Sequence, residues 1–258
     1  MPTMPTNSTY ARRIIVALIA LPLFEFLGGL VVVATGADDK RLHPTSPVLL
    51  LIIATLVTEA FLIPILLYLS RSWTTKKELL GFGKISSETA VKSLAMALGV
   101  LILGNMIIAL IEALIGHHVT GSNRTTNLLN QGSGTGLERY VVLLFIAPFI
   151  VPIFEETIFR GIILNLLRKA RNKTAEVSSA KGLLMGEPIP IIISALIFSA
   201  AHISGESLND TLGLVLIFLM GLVNGRARIK YNSLLPGYLT HMAYNLIVGL
   251  LLITSTAH

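Results

Sequence analysis

Apolar stretches separated by short polar connectors run the length of the chain, near residues 14 to 34, 48 to 70, 90 to 115, 138 to 167, 189 to 204, 208 to 225 and 232 to 254. A helix rises 1.5 Å per residue and the hydrocarbon core of a bilayer is roughly 30 Å thick, so about 20 apolar residues cross it. The pattern predicts an all-α fold, a polytopic transmembrane helix bundle of about seven spans. Two stretches depart from the norm. Residues 189 to 204 are short, and 138 to 167 are long enough to hold a broken or extended fourth helix. Pro148 and Pro152 each delete a backbone donor there, and in α geometry the acceptors left over are the carbonyls of Leu144 and Pro148. Irregular backbone at that depth must be shielded by protein or water. Gly221 and Gly225, four apart on one face, predict a close helix crossing.

Composition agrees with the bilayer reading. Hydrophobic residues make up 53% of the chain and charged ones 13%, with a mean hydropathy of +0.76, whereas a soluble domain carries about 25% charged residues. The absence of cysteine excludes disulfides, thiol nucleophiles and sulfur-bound zinc. The net charge of +6 is concentrated in connectors beside apolar runs, which points to anionic lipids as partners and not to nucleic acid. Arg71, Lys76, Lys77 and Lys84 occupy the second connector, Arg168, Lys169, Arg171, Lys173 and Lys181 the fourth, and Arg226, Arg228 and Lys230 the sixth. With Arg12 and Arg13 ahead of an uncleaved first span, the positive-inside rule predicts a multi-pass protein of the cell membrane. Its amino terminus is cytoplasmic and its carboxyl terminus outside. The third connector, near 116 to 136, is rich in Asn, Thr, Ser and Gly and reads as an external loop. No repeat, nucleotide loop or domain linker interrupts the chain, so residues 1–258 form a single transmembrane domain.

Within this apolar frame lie Glu155, Glu156 and Arg160 in EETIFR, His202 in FSAAH, and His241 with Asn245 in HMAYN. Ionisable groups are costly in hydrocarbon and face a bundle interior, a wet cavity or one another. Glu156 lies 12 residues before Arg168, His202 12 after Pro190, and His241 11 after Lys230, which places all three at a similar depth, about 17 to 18 Å along a straight helix. Glu156 and Arg160 are i and i+4, as are His241 and Asn245, so each pair points one way. Glu155 is rotated about 100° from Glu156. One glutamate can then face a substrate while the other fixes Arg160. A carboxylate beside an imidazole can take a proton from water, and a second imidazole with an amide can stabilise the oxyanion of an attacked carbonyl. Zinc is the competing use of a Glu and two His, although the single-helix HExxH pattern is absent.

These segments resemble the CPBP family of intramembrane proteins, the CAAX-type prenyl endopeptidase and bacteriocin-processing or self-immunity family. Glu155, Glu156 and Arg160 match its EExxxR motif, Phe198 and His202 its FxxxH motif, and His241 with Asn245 its third motif, over a motif-bearing core at 138–249. The resemblance implies an endopeptidase in which Glu155 and His202 activate water and His241 and Asn245 hold the oxyanion. Glu156 and Arg160 support the pocket, Phe198 packs near His202, and no metal cofactor is used. The implied substrate is a membrane-associated or leader-bearing peptide, or a lipidated protein. Three other readings stay open: a buried ion network that only holds helices together, a non-catalytic immunity or scaffold protein, and a proton-coupled transporter. Glu25, Glu59 and Glu112 lack catalytic companions and read as structural, and His117, His118 and His258 as solvated.

Overall fold

The computed structural model describes residues 57, 63–64, 81–116, 137–177, 188–203 and 208–255. The first expected span, all but residues 57, 63 and 64 of the second, residues 117–136 of the third connector, and Glu25, Glu59, His117, His118 and His258 lie outside the described residues. We number the described helices α1 (Ser87–Ile115), α2 (the helical path from Leu137 to Val177), α3 (Pro188–Ala200), α4 (Leu208–Tyr231) and α5 (Leu235–Ser255).

The expectation of about seven spans is corrected. Among the described residues, four helices are long and apolar enough to cross a membrane: Ser87–Ile115, Val142–Arg171, Leu212–Tyr231 and Leu235–Thr254. The short apolar stretch does not make a fifth, because α3 has 13 residues and so reaches only about 20 Å. That is less than the roughly 30 Å of hydrocarbon. The described residues form an all-α, multi-pass membrane helix bundle, in which α3 is a short apolar helix.

Its surface is the reverse of a soluble protein's. Val91, Leu98, Ile102, Met106, Leu110 and Leu114 stand exposed along α1, while Glu156, Arg160, Asn224 and Thr240 are buried. In lipid the exposed apolar belt costs nothing, and the buried polar groups must find partners inside the bundle.

Local signals set the helix ends. Ser86 caps α1 by accepting the Thr89 N–H at 3.1 Å, and Gly116 ends it at φ 67° with its own N–H on the Glu112 carbonyl. Asn232, at φ 46°, terminates α4. Ser233 then accepts the Leu235 N–H at 3.2 Å as α5 begins, and Leu234 N–H donates to the Gly81 carbonyl at 2.8 Å. Gly221 does mark a close crossing: a Cβ there would lie 2.7 Å from Ala195 Cβ, and one at Gly225 would lie 2.9 Å from Ile191 Cγ2.

These contacts also sort the basic connectors. The Gly81 and Ser233 contacts put the start of α1 beside the end of α4, and Gly225 against Ile191 puts the end of α4 beside the start of α3. Leu167, Ala170 and Arg171 line one groove with Ile189 and Pro190. Lys84, Arg171 and Arg228 therefore lie toward one end of the bundle.

The proline-bearing helix is continuous but changes register. It is α-helical at Leu137–Val141, Val151–Glu156 and Leu164–Val177, and π-helical at Val142–Ile150 and Thr157–Ile163. In the first π segment the Val151 N–H reaches the Ile146 carbonyl, five residues back. A proline deletes a different bond from a π ladder than from an α ladder. Pro148 lies inside the first π segment, where the acceptor five back is Leu143 and not the expected Leu144; Pro152 follows the Val151 bond at the change from π to α, so it is missing as a donor both to Pro148, four back, and to Ala147, five back.

Candidate functional site

The short α turn Val151–Glu156 sits between the two π segments and carries both glutamates. Their side chains diverge. Glu156, with no exposed surface, accepts on Oε1 from Asn224 Nδ2 at 2.9 Å and His241 Nδ1 at 3.2 Å, and the same oxygen forms an ion pair with Arg160 Nη1 at 3.1 Å. Its other oxygen has no hydrogen-bonding partner, and Gly237 lies against it: a Cβ there would come within 2.9 Å of Oε2.

Glu155 faces the imidazoles. His202 Nε2 lies 3.4 Å from its Oε1 and His241 Nε2 3.5 Å from its Oε2. Both distances exceed the usual 2.7–3.2 Å of a protein hydrogen bond, so the Glu155 carboxylate keeps acceptor capacity for another molecule. His241 bridges the two glutamates, with Nδ1 on Glu156 and Nε2 toward Glu155.

His202 lies two residues beyond the end of α3, its backbone N–H on the Ser199 carbonyl at 3.0 Å. Its Nδ1 is 2.8 Å from the Phe198 carbonyl, which fixes the ring with Nε2 toward Glu155. Its side chain is 30% exposed, against 5% for His241. The cluster thus opens to its surroundings on the His202 side, at the end of the helix that stops short of spanning.

Phe198 is the packing centre of the cluster. Its ring meets His202 edge-on at 4.7 Å, His241 at 5.9 Å and Phe159 at 4.9 Å. The Arg160 guanidinium lies 4.1 Å from its centroid. The buried cation is held between the Glu156 carboxylate and an aromatic face, which stabilises it by about 2 kcal/mol when desolvated.

Asn245 also points to α2, but its Nδ2 donates to the Ala147 carbonyl at 2.8 Å and makes no contact with either glutamate. The structure therefore gathers Glu155, Glu156, Arg160, His202 and His241 into one network, with Asn245 a turn away on the same face of α5. Asn224 and Gly237 were not singled out by sequence. The available signal for Asn224 was an amide in the otherwise apolar stretch LMGLVNG. Gly237 had none, since its role depends on which helix lies opposite. Among the described residues no group of three or more His, Cys, Asp or Glu side chains is arranged to hold a metal ion.

Residues 137–247 match the sequence family described as "Type II CAAX prenyl endopeptidase Rce1-like". This is a family-level match over the stretch that carries the buried Glu/His cluster. An Escherichia coli protein described as "Uncharacterized 24.3 kDa protein" is 36% identical over 103 residues. That stretch covers 40% of this chain and 41% of the E. coli protein, so the chain spans about two fifths of the length of the curated relative it matches. No solved structure matches the chain significantly.

Proposed function

We propose that the chain is an intramembrane endopeptidase in which Glu155 activates water. The observation that carries this reading is the Glu155 carboxylate, set between two imidazoles at 3.4 and 3.5 Å beside a second glutamate whose Oε1 is already committed. Water held by Glu155 and His202 attacks the peptide carbonyl carbon while Glu155 accepts its proton. The carbonyl becomes a tetrahedral oxyanion, which His241 and the second N–H of Asn245 stabilise. Collapse breaks the C–N bond, Glu155 returns the proton to the leaving nitrogen, and the products are a carboxyl and an amine terminus. Glu156 and Arg160 touch neither water nor substrate in this scheme and act by holding His241.

The substrate class follows from the family description and from the site's depth. A peptide must enter from the membrane, so a membrane-associated or lipidated peptide is the proposed substrate. The shared end that bears Lys84 and Arg171 is assigned to the cytoplasmic face, where those side chains meet anionic lipids.

Glu155→Gln tests the reading. Glutamine keeps volume and hydrogen-bonding reach but cannot take the proton. Purified wild-type and variant proteins are compared for helicity, thermal unfolding, peptide binding and cleavage of a membrane peptide. Near-normal folding and binding with cleavage reduced by at least about 100-fold is expected. A folded variant that cleaves at nearly the wild-type rate would show that Glu155 is not the base.

A further inference from the structure

Asn245 makes a bond that the chemistry above does not require. Its Nδ2 sits 2.8 Å from the Ala147 carbonyl, an acceptor inside a helix that would ordinarily be taken by the helix itself. Helical carbonyls accept from the N–H four residues on in α geometry and five on in π geometry. For Ala147 the first candidate is Val151, whose N–H is committed to the Ile146 carbonyl. The second is Pro152, which has no N–H.

The same arithmetic recurs one turn earlier. The residue five beyond Leu143 is Pro148, and the Leu143 carbonyl is the atom against which Gly249 packs: a Cβ there would come within 2.5 Å of it. Tyr238 adds a third contact, its hydroxyl donating to the Phe149 carbonyl at 3.1 Å. Tyr238, His241, Asn245 and Gly249 follow one another at three- and four-residue intervals, so they form a single stripe on α5. That stripe faces the carbonyls of the π segment, and it includes the histidine that bridges both glutamates.

We propose that Pro152 is a positioning residue for Asn245. By deleting the only remaining backbone donor, it leaves the Ala147 carbonyl to capture the Asn245 amide, which fixes the orientation of that amide and the register of α5 beneath the glutamates. A plain helix at this place would close on itself and offer α5 nothing to hold. The proline thus acts through Ala147 on Asn245, without contact with any reacting atom.

The test is a double-mutant cycle on the full chain in detergent, with wild type, Pro152→Ala, Asn245→Ala and the double variant. With proline at 152, Asn245→Ala orphans a carbonyl and lowers Tm by several degrees. With alanine at 152 the new N–H takes that carbonyl, so the same Asn245→Ala change costs less than about half as much. Pro148→Ala serves as the control for a general effect of removing a proline. Its restored N–H faces the Leu143 carbonyl, five back, and not Ala147, so it should not couple to Asn245→Ala. Equal Tm costs of Asn245→Ala in both backgrounds, equal coupling to Pro148, or failure of Pro152→Ala to fold would each overturn the proposal.

The kinetic arm rests on the hydrolase reading and the Tm arm does not. Pro152→Ala should lower kcat with KM unchanged when Asn245 is present and add no further loss when it is absent. A wild-type protein that shows the Tm coupling but no hydrolysis would count against the enzyme reading alone. Hydrolysis without coupling would count against the role of Pro152 alone.

Discussion

Replacing Arg160 with methionine keeps most of the side-chain length and removes the charge. The perturbation reaches two contacts: the Glu156 carboxylate at 3.1 Å and the Phe198 ring at 4.1 Å from the guanidinium carbon. Arg160 is 1% exposed and Glu156 not at all, so water cannot replace the lost cation. Removing one partner of a buried pair typically costs about 3–5 kcal/mol because the other charge is left uncompensated. Asn224 and His241 remain as donors to Glu156, which favours the lower end of that range. In a protein of this size the cost corresponds to a fall in Tm of roughly 6–20 °C. Thermal unfolding followed by helical circular dichroism in detergent reads this directly. A second variant, Glu156→Leu with Arg160→Met, removes both charges together and should recover at least about 2 kcal/mol relative to the sum of the two single changes. An Arg160→Met cost below about 1 kcal/mol, or strict additivity of the pair, would refute the idea that these charges are held by each other.

Gly237→Ala drives a methyl toward Glu156 Oε2 at 2.9 Å and Asn224 Cβ at 3.3 Å. It should destabilise by about 1–3 kcal/mol and lower hydrolysis with little change in KM; wild-type stability and rate would contradict the packing. Asn224→Leu removes a hydrogen bond to a buried carboxylate, and a loss of about 1.5–3 kcal/mol is expected in thermal or denaturant unfolding. A loss under about 0.5 kcal/mol would mean Glu156 does not depend on it. Exhaustive chelation should leave hydrolysis within about twofold, since a resident zinc would need three protein ligands around one point. Activity that falls on chelation and returns with one equivalent of zinc would reverse that expectation.

What was legible in the sequence was which polar side chains would gather. Glu156 and Arg160 at i and i+4 form the expected pair, Glu155 turns to a different set of neighbours, and the histidines of two other segments arrive at the same level. Each follows from helix period and rise, which are properties of a single chain segment. The span count was less legible, because hydropathy reports what a segment is made of and not how far it runs. The apolar signal continues to residue 204, yet α3 stops at Ala200. The acceptor of Pro148 was displaced by one residue, from Leu144 to Leu143, for a related reason. Sequence supplies the missing N–H, but whether the surrounding ladder is α or π depends on the helix packed against it. Asn224 and Gly237 belong to the same class, since their importance exists only once α4 and α5 are laid against Glu156.

The two helices that deliver the imidazoles, α5 within its length and α3 just beyond its end, also satisfy the irregular backbone of α2. Helix α5 brings His241, and from the same stripe Asn245 and Tyr238 donate to the Ala147 and Phe149 carbonyls. Helix α3 leads to His202, and its Ser194 donates to the Phe159 carbonyl at 3.1 Å, inside the second π segment. The α turn with Glu155 and Glu156 lies between those two anchored stretches. In a bilayer core an unsatisfied carbonyl costs several kcal/mol, so each π segment strongly prefers to have its own partner helix in place. The geometry that seats α3 and α5 on these carbonyls is the geometry that delivers an imidazole to each side of Glu155. Backbone satisfaction and assembly of the site are therefore the same packing event. The irregular helix is the means by which three separate segments agree on one position for the carboxylate.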